Sequence, residues 1–254
     1  LQSQTLCDDP VACNFTPSAS QCIRVEAIAS HSGMLGSEDL TGMTTYRVFA
    51  VLENTDDVLS AIIGDSEYQT FFNSSTSFFQ HPLGTATPNT LQPAFFQFTP
   101  ALEFDSWVTI GIDQAPEGDE GSISIIEDSS SPWTASFEAG NNLDISSDQG
   151  GGWYSFMGDS NTISGSDNEV LVGQFTTSGT LSGQIYMQIF IHGDSENEVR
   201  TLVNLADACG LGDSENCVYA PENYDCFGVC TLDTNSNGIC DFDETGCTDP
   251  AACD

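Results

Sequence analysis

The sequence predicts an all-β protein, an antiparallel β-sandwich of jelly-roll-like type with cysteine-rich terminal segments. Three observations predict it. Short β-branched and aromatic runs recur across residues 23–206, separated by clusters of Gly, Pro, Asn, Asp and Ser. Helical periodicity is hard to find anywhere along that stretch. All ten cysteines fall in two terminal clusters, with none between Cys22 and Cys209.

The runs are expected as strands in chain order. Thr44–Asn54 is the longest, followed by Val58–Ile63, Tyr68–Phe72, Phe95–Phe98, Trp107–Ile112 and Ser122–Ile126. Trp133–Phe137, Gly152–Phe156, Val170–Thr176 and Gln184–Ile191 complete the series. Some alternate, as half-buried strands do; Ala61-Ile62-Ile63 and Phe95-Phe96 are continuous, as strands covered on both faces are. Three segments follow: a cysteine-rich N-terminus over 1–22, the sandwich over 23–206 and a second cysteine-rich segment over 207–254.

Charge narrows the partners. Three arginines, no lysine and 38 acidic residues give a formal charge of -35 over 254 residues. Such a surface repels phosphate backbones and anionic headgroups, so neither nucleic acid nor a membrane surface is expected as a partner. No apolar run of about 18 residues is present, so no membrane insertion is expected. Sixteen phenylalanines separate the chain from disordered acidic tails. The opening at Leu1, without a Met or a charged-then-apolar leader, predicts a mature form with its signal removed. The cysteine count predicts an oxidising, extracellular or cell-surface location. Without lysine, covalent bracing by Lys–Asn cross-links is excluded, which leaves disulfides.

The turns share a composition. Gly64-D-S-E, Gly158-D-S-N, Gly193-D-S-E-N and Gly212-D-S-E-N each pair a glycine with acid and amide oxygens. Such residues make turns; one or two of these turns supplying oxygens to a cation is the sharper alternative.

One stretch dictates a chemistry. From Asp233 the chain reads D-T-N-S-N-G-I-C-D-F-D-E. Oxygen donors stand at loop positions one, three and five (Asp233, Asn235, Asn237), and Gly238 stands at six. Ile239 offers its carbonyl at seven, Asp241 a ligand at nine and Glu244 a bidentate carboxylate at twelve. This is the order of an EF-hand-type calcium loop. Amides at three and five predict a weak site, roughly 10⁻⁴–10⁻³ M. Cys226, Cys230, Cys240 and Cys247 flank or interrupt the loop and no amphipathic helix brackets it. A structural Ca2+ is therefore expected rather than a helix-opening sensor. Zinc is disfavoured, since C-x₃-C without a second pair or a nearby His is poor zinc spacing.

The run D-C-F-G-V-C, the loop D-T-N-S-N-G-I-C-D and the closing G-C-T-D-P-A-A-C resemble the cysteine-rich calcium repeats of large secreted surface proteins of marine Bacteroidetes. Those proteins are adhesins and matrix proteins exported by the type IX system. The resemblance covers about thirty residues and, more loosely, Cys7–Cys22, where Cys7-D-D-P-V-A-Cys13 repeats the C-x-D-P-x-A-C pattern of Cys247–Cys253. It implies a surface adhesin, matrix protein or filament subunit. The repeat ordinarily continues past its last cysteine, so the native protein is expected to be longer or to be cut at Asp254.

Cysteine parity adds a constraint. The N-terminal cluster holds three and the C-terminal cluster seven. If all are paired, at least one disulfide joins the clusters or leads to another molecule. An intrachain bridge is favoured, and head-to-tail self-association into a polymer stays open.

Catalytic signatures are missing: no G-x-S-x-G, H-E-x-x-H, P-loop or dinucleotide fingerprint occurs. His31, His81 and His192 each stand alone, as structural or exposed histidines. Trp107, Trp133 and Trp153-Tyr154 are read first as core and second as a sugar-stacking platform. The expectation is an extracellular structural or adhesive surface protein, not an enzyme, stabilised by calcium and disulfides, with a self-assembling filament subunit as one form. The alternative is a carbohydrate-binding or glycan-hydrolysing β-sandwich module, with a surface polysaccharide as partner.

Overall fold

The computed structural model describes residues 21–207, within a compact unit that runs from Ala19 to Cys209. The strands are β1 (Cys22–Ser30), β2 (Met34–Leu35), β3 (Glu38–Asp39), β4 (Thr44–Val51), β5 (Val58–Gly64), β6 (Thr70–Ser74) and β7 (Trp107–Val108). They continue with β8 (Ser124–Ile126), β9 (Leu143–Ile145), β10 (Gly151–Tyr154), β11 (Glu169–Thr177), β12 (Leu181–Phe190) and β13 (Glu198–Asn204). A short helix, α1 (Trp133–Glu138), lies between β8 and β9.

Two antiparallel sheets face each other, as expected of a β-sandwich. One has the order β1-β4-β11-β7. The other is best understood through its register. β12 is flanked by β13 on one edge and by β5 and then β6, in line, on the other. β10 and β9 pair in the same way with β5 and β6. Gly64 lies opposite Gly151 and Thr70 opposite Ile145, so both lanes leave the sheet at one level, over residues 65–69 and 146–150. β8 closes the far edge against β10.

The patterns explain the faces. In β12, Gly183, Ile185, Met187 and Ile189 alternate inward. β11 is buried from Val170 to Thr177, because the segment before β7 lies over its outer face. There Gln174 Nε2 donates to the carbonyls of Glu103 and Asp105, each at 2.9 Å. Phe175 of β11 centres an aromatic cluster with Phe72, Phe78 and Phe137, the closest rings 4.3 Å apart between centroids.

Several expected strands take other forms. Phe95–Phe98 is not extended: Pro93–Phe95 is a 3₁₀ turn, one of three that begin on proline, with Pro88–Thr90 and Pro100–Phe104. Proline fixes φ and lacks an N–H, so it opens helical turns and interrupts strands. Trp133–Phe137 is helical; Pro132 precedes it, and Trp133 and Phe137, four apart, are its buried residues. The strand expected over Trp107–Ile112 pairs regularly only at Trp107–Val108. Unanticipated were β1, β9, β13 and the β2–β3 hairpin. β9 has three residues and β2 and β3 two each, too few for a periodic signal. In β1, by contrast, Ile23 and Val25 alternate with Arg24 and Glu26, and in β13 Val199 and Val203 alternate around Thr201, a signal that was available. Cys22, which opens β1, is disulfide-bonded.

Candidate ligand-binding cleft

The proline-rich segment between β6 and β7 builds a cleft of about 270 Å³. Four prolines between 82 and 100 fold it into successive tight turns that no sheet ladder holds. Pro88, Leu91, Phe95 and Leu102 form apolar walls, and Asp105 and Trp107 lie among the lining residues from the β7 side. At the mouth Leu83 is 69% exposed and Phe95 55%. Phe98, whose amide donates to the Phe95 carbonyl, is 77% exposed.

Asp105 is almost fully buried. Burial pushes its carboxyl up to about 7, against the opposing pull of the His81 and Ser106 amides, and the charge of Glu138 adds to the rise. The His81 amide donates to Asp105 Oδ1 at 2.6 Å, and the Gly84 amide donates to the His81 carbonyl. The carboxyl packs so tightly on this turn that a Cβ at Gly84 would stand 1.8 Å from Oδ2. His81 is itself buried, which lowers its pKa, and its Nδ1 accepts the Leu83 amide. An acceptor Nδ1 requires the neutral ring, so the turn combines a neutral histidine with an acid biased to its neutral form.

Trp107 is 1% exposed, and its Nε1–H has no hydrogen-bond partner. The other two indoles are served: Trp153 Nε1 donates to Thr109 O at 2.8 Å and Trp133 Nε1 to Ile126 O at 3.2 Å. All three tryptophans are buried, so the core reading describes them and the stacking platform does not. The rings that face solvent near the cleft are phenylalanines, Phe95 and Phe98, on a segment whose composition predicts a strand.

The three arginines are engaged. Arg24 makes a paired contact with Glu169, at 2.6 and 2.5 Å, contacts Glu26 and lies 4.1 Å over the Phe49 ring. Arg47 pairs with Asp113 and Arg200 with Glu198.

Asp56, Asp57 and His192 bring ligand-type atoms within 4.8 Å of one another. Buried Asp57 accepts from Asn54 through both oxygens and from the His192 amide, so its carboxylate is already satisfied. His192 holds φ 54°, and its Nδ1 lies 2.8 Å from Asp56 Oδ1. That contact raises the histidine and lowers the acid. The group serves as a turn lock. His31, half-buried, meets Thr45 Oγ1 at 2.8 Å. The glycine–acid turns also use their acids locally: Asp65 accepts the Glu67 and Tyr68 amides and Asp194 the Glu196 amide. Asp159 accepts the Phe156 amide.

The predicted calcium ligands Asp233, Asn235, Asn237, Ile239, Asp241 and Glu244 lie outside the described residues, as does the Gly212 turn. Among the described residues no helix is long and apolar enough to cross a membrane. Neither a family model, nor a curated protein, nor a solved structure matches this chain.

Proposed function

We propose that the chain is an extracellular structural and adhesive surface protein that holds its partner in the cleft walled by Leu91, Phe95 and Leu102. The carrying observation is an apolar mouth, with lining residues Leu83 and Phe95 in solvent and exposed Phe98 one turn beyond Phe95, on a chain of charge -35. Exposed apolar groups gathered at a concave site are what binding surfaces offer. Binding is favoured over hydrolysis because two-carboxylate glycoside chemistry needs a pair flanking the bond, and Asp105 is the one acid among the cleft's lining residues. Glu138 lines a separate hollow, with its Oε1 taken by the Ala86 amide.

The triple variant Leu83→Ser, Phe95→Ser, Phe98→Ser tests this. Retention on insoluble polysaccharides and on intact cells should fall at least about tenfold, with the melting midpoint nearly unchanged because all three side chains are exposed. Retention equal to the parent's, or a parent that adheres to nothing, refutes the reading. A filament subunit is the second form of the proposal. The feature favouring it is edge strand β8, where Ile125 and Ile126 are exposed and open edges accept further strands. Electron microscopy of the purified chain separates the two forms, since only the second yields regular fibres.

The calcium loop belongs to the same proposal as a stabilising device. At 10 mM Ca2+, a site of roughly 10⁻⁴–10⁻³ M contributes about 1–3 kcal/mol. Adding EDTA should lower the unfolding midpoint accordingly, and Asp233→Ala with Glu244→Ala should remove that response. An identical unfolding curve with and without chelator leaves the loop an acidic turn.

A further inference from the structure

Beyond the cleft, we propose that the outer face of the seven-stranded sheet docks a basic amphipathic segment of a partner protein, one that offers apolar side chains together with lysine or arginine. The face is assembled by register rather than by any local run of sequence. In β12 the buried Ile185 and Met187 point into the sandwich, so Tyr186 between them points out. Directly opposite residues share a face, and Tyr186 stands opposite Ile63 of β5 and Leu202 of β13. Ile63 stands opposite Gly152 of β10, and Gly152 opposite Ile126 of β8. An apolar row of Ile126, Gly152, Ile63, Tyr186 and Leu202 therefore crosses five strands, about 19 Å at roughly 4.8 Å per strand. Ile126 is 53% exposed and Leu202 39%. Trp153, Ile62 and Met187, one residue along on the inner face, are fully buried.

Aromatic rings widen the row. Tyr68, in the turn after β5, stacks on Tyr186 with centroids 4.7 Å apart and planes 15° from parallel, and it stays exposed. In the next row Tyr154, opposite Ala61, meets the edge of the solvent-facing Phe156 ring. Exposed apolar surface gathered in this way marks an interaction site.

Charge decides which partner fits. No member of the row is charged, but its border is acidic. Glu67 precedes Tyr68, and the charge of Glu67, followed by the influence of Tyr186 and Asp65, raises the pKa of the Tyr68 phenol. Asp144 faces outward opposite Phe71, which is itself opposite Gln184, two residues before Tyr186. An aromatic ring with a carboxylate beside it is a seat for an ammonium or guanidinium group. The chain fills one such seat from within: Arg24 lies 4.1 Å over Phe49 while bonded to Glu169. At Tyr68 the cation has to come from outside. Arg24, Arg47 and Arg200 are held by Glu169, Asp113 and Glu198, and the sequence has no lysine. A second copy packed on this face would bring two acidic borders together, and a neutral polysaccharide would leave the acids without a counter-charge. A basic amphipathic segment satisfies both the row and its border.

The test is isothermal titration calorimetry of the full chain in about 0.15 M salt, with peptides of about eight residues, enough to cross the row. One peptide alternates Leu and Lys, a second Ser and Lys, a third Leu and Glu. The Leu–Lys peptide is expected to bind, the Ser–Lys peptide at least about tenfold more weakly and the Leu–Glu peptide not at all. The double variant Tyr68→Ser, Leu202→Ser keeps the charge at -35 and should raise the Kd of the Leu–Lys peptide about tenfold. Glu67→Gln should raise it about threefold, which keeps the test valid if the double variant folds poorly. The triple variant at the cleft mouth should bind this peptide as the parent does, which separates the two sites. Equal binding of the Ser–Lys and Leu–Lys peptides, or parental affinity in both face variants, overturns the proposal and leaves only general attraction between opposite charges. Displacement of the peptide by cellohexaose also overturns it, in favour of a glycan surface. So does a dimer in sedimentation that Tyr68→Ser, Leu202→Ser dissolves, in favour of self-association.

Discussion

Replacing Gly111 by alanine is expected to destabilise the sandwich by about 3–6 kcal/mol. Two penalties coincide there. Gly111 holds φ +77°, a conformation that disfavours an L residue by roughly 1–2 kcal/mol. A Cβ at that position would also stand 1.9 Å from the backbone oxygen of Asn161, so one backbone has to move. The segment has little freedom to do so. The Gly111 amide donates to Leu171 O at 2.8 Å, and the Thr109 amide to Val172 O. Asn161 Nδ2 donates to Ile110 O at 2.6 Å, while its Oδ1 accepts the Gly121 amide. Trp153 Nε1 donates to Thr109 O. Displacing Asn161 therefore strains several bonds at once, on the run that continues from Trp107 below the cleft. With about 2–4 °C lost per kcal/mol in a domain of this size, the midpoint should drop by roughly 6–24 °C. Gly118→Ala is the control: φ is +61° there too, but nothing lies within 4 Å of the added Cβ. Thermal unfolding by circular dichroism compares the two. If Gly118→Ala costs as much as Gly111→Ala, the close approach to Asn161 contributes nothing.

How much of this was legible in the sequence depends on what each feature rests on. β12 was legible because inward Ile185, Met187 and Ile189 alternate with polar or half-exposed neighbours, and β5 because Ala61-Ile62-Ile63 is continuous. Local pattern and local structure agree there. The cleft was misread because Phe95–Phe98 has strand composition, while the backbone is governed by prolines at 88, 93 and 100. Their spacing was the available signal, and it outweighs aromatic content. The helix at Trp133 had a comparable signal in Pro132 and the four-residue interval to Phe137. Asp105 had none. Its burial depends on His81 and Gly84, more than twenty residues upstream, and on the cover lent by Gln174 contacts from β11. Among 38 acids nothing local marks it. The strongest motif in the chain, Asp233–Glu244, rests on spacing alone and lies outside the described residues.

Asp105 also predicts how stability changes with pH, in the opposite sense to most carboxylates. Its carboxyl titrates at about 7 in the folded chain, raised first by burial and further by Glu138, against about 3.9 when unfolded. Below pH 4 both states hold the proton, and the contribution is at its most favourable. Between about 4 and 7 the unfolded chain releases it while the folded chain keeps it, so stability falls as pH rises. Above 7 both are ionised and the loss levels off, on the order of 4 kcal/mol below its acid value. A carboxylate held by an ion pair behaves in reverse. The exposed acids lowered by local hydrogen bonds, such as Asp39 and Asp128, are too well solvated to offset a trend of that size. Asp105→Asn keeps an acceptor for the His81 amide and cannot ionise. The variant is expected to match the parent at pH 5 within about 1 kcal/mol and to exceed it at pH 8 by roughly 2–4 kcal/mol. Urea unfolding at the two pH values measures the difference. A gap between parent and variant that stays constant from pH 5 to pH 8 would mean that Asp105 ionises at an ordinary value, and that the floor of the cleft is charged rather than neutral near pH 7.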